Sequence, residues 1–220
     1  MSGLQKGMFL GFVAVFLAMA VSLPSGHANA ADCRGDPAPE VDWSACVKKN
    51  LMLSANDFTG ANFRDADLSF TDMRNTTLTG ADLEKATLIR TWFTGARLDK
   101  ANFARVEAYR SGFQSVSAQG TSFASAELQR ATFNGADLRY ANFEKADLSR
   151  TSFDEAVLSG ATFAYASLSP ADLSKAKVEG TLGFDRAFML LTRIEGLDLS
   201  GAAGLDQSQI DMACGDAKTK

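Results

Sequence analysis

Arg90, Arg110, Arg130 and Arg150 stand at intervals of twenty residues. A guanidinium is planar, permanently charged and forked, so four in a row could hold a linear polyanion, such as lipopolysaccharide phosphates, or an acidic protein. A second set, Asp67, Glu107, Glu127 and Asp147, follows the same period. If the two sets lie side by side, they could instead neutralise each other as a solvated ion-pair lattice. Both readings stand at this point. The other reactive side chains are few: His27 is the sole histidine, and the cysteines are Cys33, Cys46 and Cys214.

His27 belongs to an N-terminal stretch with its own character. Lys6 precedes an apolar run from Met8 to Leu23, and the small residues Ala28 and Ala30 follow it. This is the pattern of a secretory signal peptide over 1–30, cleaved after Ala30. The run is shorter than the roughly 20 residues of a bilayer span, with a retained anchor as the alternative. Asp32 before Cys33 argues against a lipoprotein site. A periplasmic or extracellular protein, not membrane-spanning after cleavage, is expected.

Cleavage would remove the only histidine, and with it His general bases, Ser-His-Asp or Cys-His nucleophiles and His metal ligands. The leader holds one lysine and no acid, so 21 basic against 26 acidic residues leaves a net charge of −5. That mild acidity predicts no nucleic-acid partner. In an oxidising compartment Cys33 and Cys46, flanking "RGDPAPEVDWSA", are the candidate disulfide. Two cysteines without histidine make a poor metal site, and neither metal nor cofactor is expected.

The elements that must position these residues follow from a second period. In "ATFNGADLRYANFEKADLSRTSF", 131–153, a large apolar residue recurs every fifth position and a small one stands two places before it. Helices repeat at 3.6 and strands at 2.0, so five fits neither. From Phe58 to Val178 there are 25 such centres: ten Phe, eleven Leu, then Met73, Ala108, Ala118 and Val178. A chain that turns a corner in every quintet meets this pattern. Four corners close a coil of twenty residues, and stacked coils pair their backbones in parallel about 4.8 Å apart.

The runs "ANFRDADLSF", "GADLEKATL", "GADLRYANF" and "KADLSRTSF" resemble the A-(D/N)-L-X-X motif of the pentapeptide repeat proteins. The resemblance implies an all-β solenoid, a right-handed quadrilateral parallel β-helix. It spans about 51–205 and says little of function. The expected organisation is a signal peptide at 1–30, a disulfide-stapled N-terminal cap region at 31–50 and a β-helix at 51–183. A phase-shifted last coil at 184–205 and a short capping helix with tail at 206–220 complete it.

The twenty-residue coil sorts the sequence into columns. Phe103, Phe123, Phe143 and Phe163 fall on one wall and Phe93, Phe113, Phe133 and Phe153 on the opposite one, at a spacing that allows ring stacking. Ala108 and Ala118 share one coil with Val106 and Val116 at its small positions, which predicts a repacked layer, with a ligand cavity as the alternative. Gly60, Gly80, Gly120, Gly160 and Gly180 share a corner expected to need positive φ, as in a type II turn. The arginines take the diagonal corner. The outward three residues of each quintet are assigned no packing duty.

After Val178 the phase slips by one. Phe184, Met189, Ile194 and Leu199 continue the interval, so "EGTLG" reads as a one-residue insertion, with an amphipathic helix over "FDRAFMLLTRI" as the alternative. Asp206 and Gln209 fit a capping box, and Gly215 would stop that helix. About seven coils, from Leu53 to Leu199, separate Cys214 from the N-terminal cysteines, too far for a bond, leaving a buried free thiol or an intermolecular bridge.

A filled prism offers no cleft in which carboxylates could acquire catalytic pKa values, so no enzyme is expected. The first functional reading is a non-catalytic periplasmic or cell-surface interaction or scaffold module, bound to an envelope protein or polyanion. The second draws on the family resemblance, which includes DNA-like inhibitors of DNA gyrase. It is a shape- and charge-mimicking inhibitor, with gyrase itself disfavoured by export and by the arginine column.

Overall fold

The computed structural model describes residues 31–216 and 219; the segment 1–30, read from sequence as a signal peptide, lies outside them. Each centre begins a corner. Its carbonyl accepts the N–H three residues on, as in Ala66 to Phe63 and Ala136 to Phe133, both at 3.0 Å. The second residue between them takes positive φ: 56° at Asp65, 61° at Lys85, 59° at Lys145. A short extended piece follows and pairs in parallel with the piece twenty residues on. Asn62 bridges Asp82, Asp67 bridges Thr87, Asp72 bridges Trp92 and Thr77 bridges Arg97, one bridge on each of four faces.

Positive φ is not confined to the glycine corner. It recurs at every fifth residue from Glu40 to Tyr165, whatever the side chain. A left-handed residue other than glycine costs about 1–2 kcal/mol. The ladders and the buried centres on either side of each corner over-determine the conformation and hold it. Glycine is compulsory at few corners. Gly204 is one such position, because an added Cβ would stand 2.7 Å from the Asp185 Cα.

The core is the column of centres. Phe58 to Leu173 are all buried, including Ala108 and Ala118, with Val106 and Val116 buried beside them. Along one wall Phe93, Phe113, Phe133 and Phe153 stack with centroids 5.0, 4.8 and 5.3 Å apart. Between walls the rings meet edge to face, Phe133 against Phe123 at 5.6 Å and Phe143 at 5.7 Å. Each inner ring is thus stacked along the axis and edge-packed across it, the two arrangements that the ring quadrupole favours.

Where threonine replaces alanine at a small position, its buried hydroxyl needs an acceptor. Thr91 Oγ1 donates to the Leu68 carbonyl at 2.8 Å, and Thr121 Oγ1 to that of Leu98 at 2.7 Å. The outward Asp and Asn also carry a structural duty, which corrects the sequence reading. Asp67 Oδ1 accepts the N–H of Ser69, Asp147 that of Ser149 and Asn142 that of Glu144. These Asx turns satisfy corner amides that the ladder leaves over.

Bridging begins at Asp42, inside the 31–50 segment read from sequence as a cap. Trp43 and Cys46 occupy a centre and a small position there, and the Trp43 ring packs on Phe58 at 5.5 Å and Phe63 at 5.8 Å. Cys46 is bonded to Cys33, Cα atoms 5.5 Å apart.

At the other end the bridge interval changes from twenty to twenty-one. Val157 pairs with Lys177, but Thr162 pairs with Gly183 and Ser167 with Phe188. Residues 184–194 form turns and bridges rather than a helix, with Phe184, Met189 and Ile194 buried. Strand β1 (Leu182–Gly183) pairs in parallel with β2 (Ala202–Ala203).

Helix α1 (Gln207–Met212) carries the full capping box: Asp206 accepts the Gln209 N–H, and Gln209 Oε1 accepts that of Asp206. The buried Gln209 amide also donates to the Phe184 and Ala187 carbonyls, fastening the helix to the last coil. The helix stops at Met212, before Gly215, because Cys214 turns extended to bridge Arg193. Cys214 itself is a half-buried free thiol. No helix among the described residues is long and apolar enough to cross a membrane.

Candidate functional site

The four arginines stand one above another at a single corner. Phe70 N–H donates to the Ile89 carbonyl, Arg90 to Tyr109, Arg110 to Gln129 and Arg130 to Ser149, at 2.9–3.0 Å. Those bonds fix the register of the column Phe70, Arg90, Arg110, Arg130, Arg150. Each arginine has φ between 53° and 61°, and each is exposed. Two are propped on rings: Arg110 lies 5.1 Å from the centroid of Tyr109 and Arg90 lies 6.0 Å from that of Phe70. Such contacts orient a guanidinium without neutralising it.

Among the described residues none of the four forms an ion pair. Carboxylates pair elsewhere: Arg64 with Asp82 and Glu84, Arg74 with Asp72, Arg139 with Asp137, Arg193 with Asp172. Glu107, Glu127 and Asp147 do stack as one ladder on the neighbouring face, yet no salt bridge joins it to the arginines. Asp67 is paired with Lys49 at 2.7 Å, and Asp147 accepts the Gln129 side-chain amide at 2.8 Å. The ion-pair lattice that the spacing allowed is therefore not formed, and the column stays charged towards solvent.

Elsewhere the carboxylates are engaged by their own neighbours. The hydrogen bond from Arg74 holds Asp72 below the usual aspartate range, and that from Arg139 does the same for Asp137. Among the described residues no group of His, Cys, Asp and Glu is placed to hold a metal ion.

The sequence family follows from the repeat itself. The profile for a pentapeptide repeat region matches residues 86–163, and that for eight copies of the pentapeptide repeat matches 56–80. This chain is a pentapeptide repeat protein. Solved pentapeptide repeat proteins share its architecture and form right-handed quadrilateral β-helices. HetL from the cyanobacterium Nostoc, involved in heterocyst differentiation regulation, is 23% identical over 73% of this chain and 82% of its own, with a TM-score of 0.52. A trypsin-treated form of QnrB1, a plasmid-mediated fluoroquinolone resistance protein, is 17% identical over 79% and 85%, with a TM-score of 0.61. At these identities the likeness speaks for the fold alone. No curated protein matches the sequence.

Within this pentapeptide repeat protein the outward aromatics divide into two groups. Trp92 stands two residues beyond Arg90 and, with Met52, Asp72 and Arg74, lines a shallow depression of about 400 Å³. Tyr140 and Tyr165 lie at other corners, Tyr165 beneath Lys145 and Arg186. The sequence places the arginines on one corner with Trp92 and Tyr109 near them, and what it leaves out is the apolar group at the far end. The exposed Phe188, Leu190 and Leu191 enter the same corner region only after the inserted residue shifts their register.

Proposed function

We propose that this chain is a non-catalytic, exported interaction module that presents its arginine corner to an anionic partner at the periplasmic or cell-surface side of the envelope. The coil takes the right-handed sense of its family. One observation carries the reading: four exposed arginines in register remain unpaired although the chain has more acidic than basic residues. Like charges about 5 Å apart repel by roughly 1 kcal/mol even in water, so an anion that bridges them gains from each neighbour. The interior centres from Phe58 to Leu173 are buried rings and aliphatic side chains, so charge is offered on the outward columns. The N-terminal run and the Cys33–Cys46 bond support an oxidising destination.

Two measurements test this. Fractionation of cells producing the full chain is expected to recover a product beginning at Ala31 outside the cytoplasm; an uncleaved cytoplasmic product overturns the export reading. Retention on an immobilised polyanion should fall steeply with salt and vanish in the Arg110→Glu/Arg130→Glu double variant. Retention equal to that of the native chain overturns the role of the corner.

A further inference from the structure

The arginine corner is bounded at both ends by exposed apolar side chains. Phe70 heads the column at 40% exposure, with Met52 at 75% and Trp92 at 47% on the adjoining ladder Met52–Asp72–Trp92. Below Arg150 the corner passes through Pro170 to Leu191 at 56%, flanked by Leu190 at 43% and Phe188 at 47%. Six of the ten large apolar side chains exposed among the described residues thus gather at the two ends of one edge. Cations in the middle and apolar groups at the tips form an amphipathic ridge, six coils or about 29 Å long.

We propose that this edge docks the protein on an anionic lipid bilayer, guanidiniums on headgroup phosphates and apolar tips in the interfacial layer. The inference rests on the reading that the corner binds anions, and it names the partner. Aromatic and leucine side chains beside arginine are the residue types that settle at a membrane–water boundary. The shape agrees. A prism corner is convex, so a protein partner would need a complementary groove, whereas a fluid headgroup layer yields to a ridge.

The carboxylates are placed so as not to oppose this. Beyond the corner the next face carries Trp92, Gly112, Thr132 and Ser152 in one ladder, without an acid between Asp72 and Asp172. The acidic ladder on the other face runs from Glu107 to Asp147 and then continues as Ser167 and Phe188. Resting on the corner and the Trp92–Ser152 ladder keeps Glu107 and Glu127 in water while Arg90 to Arg150 reach phosphate.

The test uses the chain from Ala31, the product expected of cleavage, with vesicles of phosphatidylcholine alone and of equimolar phosphatidylcholine and phosphatidylglycerol. Co-flotation is expected on the second only, and weakened by salt. At about fivefold per arginine, Arg110→Gly/Arg130→Gly should bind roughly 25-fold less tightly. Glycine suits both positions, which have φ of 59° and 61°, and Leu191→Gly at φ 56° removes an apolar tip in the same conformationally safe way. Brominated lipid should quench the exposed Trp92 and spare the buried Trp43.

Equal flotation on both vesicles, no loss in the arginine pair, or unquenched Trp92 in bound protein overturns the proposal. A soluble polyglutamate arm separates the two readings. Column-dependent binding to polyglutamate without binding to phosphatidylglycerol sinks the membrane and keeps the anion site. Binding to neither sinks both.

Discussion

The phenylalanine wall and the arginine corner are built by the same geometry. Phe93, Phe113, Phe133 and Phe153 stack inside at centroid distances near 5 Å, and Arg90, Arg110, Arg130 and Arg150 stack outside with the same twenty-residue period. The coil places like above like in both cases. For rings in a dry interior that is attractive. For guanidiniums in water it is repulsive. One periodic scaffold therefore yields a column that holds the molecule together and a column whose like charges repel until an anion comes between them.

Substitutions can break either side of this comparison. Phe133 stacks on two rings and meets two more edge-on. Phe133→Ala is expected to cost about 3–5 kcal/mol in denaturant unfolding, and a cost under about 1 kcal/mol would mean the wall is not a packed core. Ala131→Leu at the fully buried small position should overpack, costing about 1–3 kcal/mol by the same measurement.

The outer column responds in the opposite sense. Arg130 has φ 61°, so Arg130→Gly should raise stability by about 1 kcal/mol through relief of the left-handed conformation and of like-charge repulsion. Gly80 at φ 67°, with open space around it, provides the mirror experiment: Gly80→Arg should lose about as much. If both changes move melting in the same direction, the corners are not equivalent backbones.

The smallest expected effect is on acidification. Arg74 and Arg139 depress the pKa of Asp72 and Asp137 in the folded state. Their contribution is present above the ordinary aspartate pKa of about 3.9 and is lost as pH falls below it. Melting temperature should drop below pH 4, less steeply in Asp137→Asn; an unchanged slope would leave that pair without a part in stability.

The core was legible because burial imposes a period, and Phe133 or Leu148 cannot be exchanged for a polar residue without leaving it. The slip after Val178 was legible for the same reason, since Phe184 and Met189 restart the count. Hydrogen bonding was less visible. That Asp67 and Asp147 serve the amides of Ser69 and Ser149 depends on local turn geometry, which residue type alone leaves open. Positive φ at Arg90 or Tyr140 was masked because glycine advertises the conformation and arginine does not. Pairing between the arginine and acidic columns was undecidable from spacing, because a shared period says which faces are neighbours and not which charges meet.

The extra residue near Gly180 changes the bridge interval by one, yet every later centre still reaches the interior. A corner here can lengthen without altering the faces it joins. Gly180 has φ 101°, and a Cβ there would meet nothing within 4 Å. Foreign loops grafted at this point would project as outgrowths from an otherwise unchanged column, making the slip a natural port for tags, probes or new recognition segments.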